Sequence, residues 1–208
     1  MVSTFTPNIQ LEEPAAGDYV GTWDQPVNSN MNVLDLVAGG TTTIGLNNSN
    51  VTLSGAQFRA EGITFNSTLT GSVVITFPTS FTKSYTVYHT CTGSSAFTIT
   101  LTTTAAGGQV IGCPPGEMFE CRNDGTNIKF KNFGRIGGYW DYAGSSLPNW
   151  VSGCTVAPYL NCDGTAFSSA TFPFLAGILG GITLPDSRGR FRVSLDQGVS
   201  RVSSGVSG

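Results

Sequence analysis

The chain contains a single histidine, so any catalytic device that needs an imidazole depends on His89. A Ser/His/Asp or Cys/His arrangement requires that ring beside a nucleophile. Residues 85–91 have the alternating pattern of a β-strand. Because a histidine at a strand end is more often structural than catalytic, we expect His89 to be a structural residue.

Three aspartates are the other candidates for catalysis. A glycosidase uses two carboxylates that face one groove, but no spacing selects two of Asp141, Asp163 and Asp186. Asp163-Gly164 and Pro185-Asp186 are typical of turns in which the aspartate binds its own backbone. The sequence holds no phosphate-binding, dinucleotide-binding or calcium-binding loop. It therefore predicts no enzyme, no catalytic residue and no cofactor.

The cysteines argue against a metal site. Zinc sites need clustered thiolates or imidazoles, and the chain has no C-x-x-C pair. Two pairs, Cys113/Cys121 and Cys154/Cys162, are each eight residues apart, and each would be bridged if a hairpin brought its members together. Buried free thiols are the alternative that we favour. The five cysteines are Cys91, Cys113, Cys121, Cys154 and Cys162.

The composition excludes several classes of protein. Charged residues make up 11% of the 208 residues, against about 25% in an average chain. That excludes a coiled coil or a charged helical bundle and leaves a turn-rich, mainly β protein with 27 glycines. Because the net charge is −3, nucleic acid and anionic lipid are not attracted generally.

Charge and hydrophobicity vary along the chain. The first 58 residues hold five acids and no Lys or Arg, whereas residues 188–201 hold four arginines. Two ends of opposite charge are able to bind different partners. The alternative is that the charged residues lie in solvated loops and bind nothing. The longest apolar run, residues 172–182, is half as long as a membrane span and contains three glycines, so we expect no membrane insertion. The first residues lack the basic and apolar regions of a secretory signal.

We predict three segments: 1–37, 38–136 and 137–208. The first contains a short helix that Asn28 or Asn30 caps and that Gly39-Gly40 ends. Such a short helix needs a packing partner, and Trp23 is the expected anchor. The last segment is irregular and rich in aromatic residues, with one short helix.

The middle segment is predicted to be a small antiparallel β-sandwich of seven or eight short strands. No repeat of fixed period is evident in it. Asp124-Gly125 favours a tight hairpin turn, and residues 47–50 and 114–116 mark further turns. Period-two alternation gives two strands one buried face each; their apolar positions are Val73, Ile75 and Phe77, and Phe97, Ile99 and Leu101.

The carboxy-terminal segment carries an ordered motif. It has a proline–aromatic–leucine step at 158–160, C-D-G at 162–164, a predicted helix from Ser168 or Ser169 to Leu179, and L-P-D-S-R-G-R at 184–190. In this order the motif resembles the bacteriophage tail-collar domain family. Residues 23–30 are similar, more weakly, to the attachment segment at the amino terminus of phage tail-fibre proteins.

The resemblance implies a role for each part of the motif. Residues 162–164 would form a tight turn with the cysteine buried and Gly164 in an unusual conformation. Asp186 would pair with Arg188 or Arg190, either fixing the register between chains of a trimer or forming a surface ion pair. Related fibres bind metal through His-x-His, which this chain lacks, so no metal is expected. The sequence stops shortly after the motif, and we expect a collar-like module that is incomplete at its end.

The resemblance predicts a structural virion protein: a homotrimeric tail fibre or tail appendage for host attachment, made in the host cytoplasm and located in the phage tail. Residues 1–37 would bind other tail proteins, and the fibre would bind a cell-surface glycan or protein through threefold avidity. The alternatives are a virion adaptor or decoration protein and, less favoured, a polysaccharide depolymerase. Four aromatic residues would stack on saccharides or fill a trimer core: Tyr139, Trp140, Tyr142 and Trp150.

Overall fold

The computed structural model describes residues 3–6, 9–131, 136, 138 and 146–188. Within these residues the chain is mainly β, as predicted, and it divides into two compact units, Met1–Leu160 and Asn161–Gly208. The strands are β1 Thr4–Phe5, β2 Glu12–Glu13, β3 Thr41–Gly45, β4 Val51–Thr52, β5 Gly62–Asn66, β6 Thr68–Leu69, β7 Val73–Phe77, β8 Lys83–His89, β9 Thr92–Gly93, β10 Ile99–Thr103, β11 Ile111–Gly112, β12 Met118–Asn123 and β13 Ile128–Phe130. The helices are α1 Asp24–Gly39, α2 Gly55–Arg59, α3 Asn149–Ser152 and α4 Pro173–Leu179.

The first unit contains three successive coils of chain. In one sheet, β3, β5 and β8 pair in parallel, so that Thr41 lies opposite Gly62 and Gly62 opposite Thr86. In the second sheet, β4, β7 and β10 pair in parallel in the same way. Between these strands along the chain, β6 pairs with β9. Each strand thus binds its counterpart in the next coil, which is the arrangement of a short β-solenoid.

Antiparallel pairing follows the last coil. β12 pairs with β8 on one side and with β13 on the other, and β11 pairs with β10. The strand direction in the coils thus differs from the predicted antiparallel pairing, and the coils form a structural repeat that the sequence pattern did not reveal. Alternation of apolar residues specifies which face is buried, but it does not specify which neighbour a strand binds or in which direction.

The core lies between the two sheets and draws on strands of both. Val73, Ile75 and Phe77 are buried and their neighbours Val74 and Thr76 are not fully buried, as period-two alternation predicted. Ile99 and Leu101 are also buried, whereas Phe97 is half-buried at the edge of the same cluster. Each fully buried aliphatic or aromatic side chain contributes about 1.5–3 kcal/mol relative to exposure.

The predicted hairpin is confirmed. In β12 and β13, Asn123 lies opposite Ile128, and Gly125 has a φ of 92° that favours glycine. The Asp124 carboxylate accepts hydrogen bonds from the backbone N–H groups of Thr126 at 3.0 Å and Asn127 at 2.7 Å. The turns at 47–50 and 114–116 are also present.

The amino-terminal helix α1 differs from its prediction. It begins at Asp24 rather than near Asn28 or Asn30, because Pro26 in its first turn has no N–H to leave unpaired. Trp23 is 69% exposed and does not anchor the helix; Pro26 and Val33 are the buried side chains. The helix ends before Gly40, close to the predicted stop. No helix in the described parts of the chain is long and apolar enough to cross a membrane.

Beside α1, the short helix α2 is closed by polar groups at both ends. Ser54 and Gln57 form a capping box at its start. At its end, the Lys83 ammonium donates to the carbonyl oxygens of Arg59 at 3.1 Å and Ala60 at 2.9 Å. Burial lowers the pKa of Lys83 to about 8. Lys83, the first residue of β8, is thus a buried cation.

Helix α3 packs within the first unit, although it lies in the predicted third segment. Trp150 is buried, with its ring 6.0 Å from that of Phe130 and 6.0 Å from that of Tyr159. The Cys154 thiol accepts a hydrogen bond from the Gly112 N–H at 3.2 Å. A Cβ atom at Gly112 would collide with the Trp150 carbonyl oxygen, so the close approach requires glycine.

Candidate functional site

In the second unit, the two halves of the collar-like motif meet. Residues 162–165 and 184–188, here called the turn pair, run antiparallel, with Asp163 opposite Asp186. The Leu184 N–H donates to the Thr165 carbonyl at 2.9 Å. The Ser187 N–H donates to the Cys162 carbonyl at 3.0 Å, and its hydroxyl donates to the same oxygen at 3.2 Å. Two short motifs that are separated in sequence therefore form one structure.

The first half is the tight turn that the resemblance implied. The Asp163 carboxylate accepts from the Thr165 N–H at 3.0 Å and from its hydroxyl at 2.6 Å. Gly164 has a φ of 80°, in the left-handed region that favours glycine. Cys162, which the resemblance expected to be buried, is half-buried, because the described part of this unit has little core to cover it.

The second half holds an exposed ion pair. The Arg188 guanidinium donates from Nε and from one terminal nitrogen to the two oxygens of Asp186, each at 2.9 Å. This is the planar, bidentate geometry expected for one of the two predicted pairings. Arg190, the other predicted partner of Asp186, lies outside the described residues.

Hydrogen bonds within the turn pair shift the pKa values of its charged groups. Hydrogen bonds from Thr165 lower the pKa of Asp163, with a smaller contribution from Arg188. Asp186 raises the pKa of Arg188. Both groups therefore stay ionised at neutral pH, and Asp163 is a poor proton donor. What the turn pair offers chemically is a fixed, exposed arrangement of charges.

Between the two halves of the turn pair along the chain, helix α4 and the residues after it leave apolar side chains in water. Phe174 is 72% exposed, and Ile178 and Ile182 are also exposed. The helix begins at Pro173 rather than at Ser168 or Ser169, whose segment forms a turn before it; the Ser168 carbonyl accepts from the Phe172 N–H at 2.9 Å. It ends at the left-handed Gly180, as predicted.

His89 is the last residue of β8 in the first unit. It is buried, and its Nδ1 has no hydrogen-bond partner among the described residues. Burial lowers its pKa, so the ring is neutral at pH 7. The ring is thus buried and neutral, and its structural role stays a prediction.

The cysteines are free thiols, and no disulfide joins either pair of spacing eight. Cys113 and Cys121 are buried; burial raises the pKa of both, that of Cys121 to about 12. Both are therefore protonated at neutral pH. Among the residues that the structure describes, no group of three or more His, Cys, Asp or Glu is placed to hold a metal ion.

Of the four aromatic residues predicted to stack on saccharides, Trp150 lies within the described residues. Trp150 is buried among Phe130 and Tyr159 of its own chain, and it is therefore not a surface platform. Tyr139, Trp140, Asp141 and Tyr142 lie outside the described residues.

Sequence reasoning missed one surface. Val27, Met31 and Leu34 of α1 are exposed on one side of the helix. Their spacing of four and three residues is that of a helix-packing seam, and this signal was present in the sequence.

Comparisons of the chain with protein-family models, with curated proteins and with solved structures each return no match.

Proposed function

We propose that this chain is a structural virion protein, a homotrimeric phage tail fibre or tail appendage that takes part in host attachment. Residues 1–37 bind another tail protein, the coils serve as a spacer, and the collar-like module follows. The observation that carries the proposal is the turn pair: the C-D-G and L-P-D-S-R parts of the collar-like motif lie side by side. Contact between the separated parts of the motif supports the proposal more strongly than their residue types alone.

The architecture of the coils supports a spacer. Parallel coils contact mainly their neighbours, so a solenoid extends in one direction and keeps its two ends apart. Its inward faces are filled by apolar side chains such as Phe65, Ile75 and Leu101. An element with such a core is suited to the role of a spacer.

The exposed side chains of the second unit support oligomerisation. Phe174, Ile178 and Ile182 lie in water in the single chain, and Leu184 is the one buried apolar residue in 161–188. A unit with so little core gains stability when copies cover its apolar surface. Threefold association would also multiply weak receptor contacts.

The native mass of the purified chain, measured by size exclusion with light scattering, tests the trimer. We expect a mass near three times 21.8 kDa. A monomer at all concentrations would contradict the homotrimer. Trimers with no binding to host cells would favour the adaptor, which contacts virion proteins alone.

A deletion of residues 1–37 tests the attachment role. The deletion is introduced into the gene in its own genome, and particles are then purified. The shortened protein should keep its oligomeric mass, but immunogold labelling should no longer find it on the particles. If it still labels the particles, the attachment role is wrong. Release of reducing sugar from host capsule by the intact chain would instead favour the depolymerase.

A further inference from the structure

Helix α1 presents an exposed apolar stripe. Val27, Met31 and Leu34 are 46%, 60% and 40% exposed, and at about 3.6 residues per turn they lie on one face. The helix already packs against its own unit through Pro26 and Val33, which lie on a different face. The stripe is therefore not the surface that holds the helix to the chain.

Exposed carboxylates lie along one edge of this stripe, and the acidic β1–β2 hairpin lies at the other. With about 3.6 residues per turn, Asp24 and Asp35 fall together along one edge of it, and both are exposed. Asn30 falls on the other edge, where its side-chain amide binds the backbone of Glu12 through two hydrogen bonds, at 2.8 and 3.0 Å. These bonds place the β1–β2 hairpin, with Glu12 and the exposed Glu13, beside the stripe.

Among the described residues, no ion pair involves these acids. The first Lys or Arg of the chain is Arg59. The ion pairs within the described residues are Lys129–Asp124, Lys131–Glu120 and Arg188–Asp186, so none involves the flanking acids. An apolar stripe between acidic edges is complementary to an apolar ridge between basic edges.

The charge pattern also decides against a second copy of α1 as the partner. In a seam built on Val27, Met31 and Leu34, Asp24 occupies the next core position and Asp35 a flanking one. Symmetric packing of identical helices would bring several carboxylates together with no cation to pair them. A partner with Lys or Arg beside its apolar residues would pair them instead.

We propose that the stripe of Val27, Met31 and Leu34, with its acidic edges, docks a basic amphipathic helix of another protein. This inference rests on the proposed attachment role of residues 1–37 and names the chemistry of the partner. Apolar contact would supply most of the affinity, and the carboxylates would set the choice of partner and the rate of encounter.

A pair of synthetic peptides tests the proposal with the full chain. One is an amphipathic helix of about 18 residues with Leu on one face and Lys on the rest, since shorter isolated helices are marginal in water. The other has Glu in place of every Lys. In fluorescence anisotropy we expect the Lys peptide to bind at least about tenfold tighter, with affinity that falls as salt rises.

Substitutions locate the binding. The double variant M31Q/L34Q should weaken the Lys peptide about tenfold or more, whereas Asn32→Gln, exposed on the same helix but off the stripe, should leave it unchanged. Asp35→Asn should reduce the salt dependence, and Glu117→Gln, an exposed acid far along the chain, should not. Because the substituted side chains are exposed, the melting temperature should stay the same and serve as a folding control.

Two results would overturn the inference. One is equal binding of the two peptides, or binding that M31Q/L34Q does not change. The other is a fall in native mass caused by M31Q/L34Q, which would make a second copy the partner. Either result leaves the attachment role standing if deletion of residues 1–37 still removes the protein from particles.

Discussion

The coils of the first unit and the turn pair of the second are stabilised in different ways. In the coils, apolar side chains from two sheets fill one continuous core. In residues 161–188, Leu184 is the one buried apolar side chain, and the structure is closed by backbone bonds, a tight turn and an exposed ion pair. Each such hydrogen bond contributes only about 0.5–1.5 kcal/mol net. The coils have a core of their own, whereas the turn pair gives shape without much stability.

The sharpest test of this difference uses one substitution at two isoleucines. Ile75 is fully buried in β7 and Ile178 is 59% exposed on α4. Ile75→Ala should cost about 2–5 kcal/mol of unfolding free energy, because it removes buried methyl groups and leaves a cavity. Ile178→Ala should change it by less than about 0.5 kcal/mol. Urea denaturation of both variants at low protein concentration measures the two values.

A large cost for Ile178→Ala would break the comparison. It would mean that other copies cover α4 even at low concentration, so that the second unit owes its stability to association. The same measurement at several protein concentrations separates this case, since stability would then rise with concentration.

The second test concerns how α3 is held in the first unit. Gly112→Ala should cost about 1–3 kcal/mol, because the added methyl group meets the Trp150 backbone and forces the two segments apart. Gly55→Ala is the matched control: a Cβ there meets no atom within 4 Å. Thermal unfolding should show a lower Tm for Gly112→Ala and an unchanged Tm for Gly55→Ala. Equal Tm values would mean that α3 is not packed on β11.

The third test uses the buried cation of the coils. The pKa of Lys83 is about 8 in the fold against 10.5 in the unfolded chain. Between these values the unfolded state binds more protons, so Lys83 makes stability rise with pH from about 8 to about 10.5. Lys83→Met lacks this contribution, so the difference in unfolding free energy between the original chain and the variant, measured by urea denaturation, should change with pH between about 8 and about 10.5. A pH-independent difference would show that Lys83 is not desolvated as the structure indicates.

The smallest expected effect is on the pH dependence of stability at two turns that contain an aspartate, Asp124 and Asp163. Backbone N–H groups lower the pKa of Asp124 from 3.8 to about 2. Its stabilising contribution is therefore present above pH 4 and is lost as the pH falls from about 4 to about 2. Asp124→Asn should remove this dependence from global unfolding of the first unit. Asp163→Asn should leave this pH dependence of the first unit in place, because Asp163 belongs to the second unit. Loss of the dependence in that variant would contradict its assignment to Asp124.

The predictable and unpredictable parts of the fold differ in the range of the interactions that set them. The hairpin at Asp124-Gly125, the turn at Asp163-Gly164 and the helix stop at Gly180 depend on local backbone preferences, and the sequence predicted each. The parallel coils were not predicted, because their pairing joins segments a full coil apart. The start of α1 differs from its prediction because a first turn tolerates Pro26, whose missing N–H would have no partner there.

The candidate site follows the same division. The residues of the turn pair were identified from the motif, and the pairing of Asp186 with Arg188 was one of two alternatives. Residues 162–165 and 184–188 are about twenty residues apart in the sequence, and nothing in that spacing predicted that they lie side by side. The apolar stripe on α1 had a sequence signal in its spacing, but the same spacing is typical of a buried face.

The sequence by itself determined the mainly β class, the alternating buried faces, the tight turns and the uneven charge, because these depend on residue type and near neighbours. Only the tertiary structure decided which strands pair and in which direction. It also decided that Trp150 is buried, that Trp23 and the stripe are exposed, and that the two halves of the motif meet. The physical reason is that burial depends on what packs against a side chain, and that neighbour often lies far away along the chain.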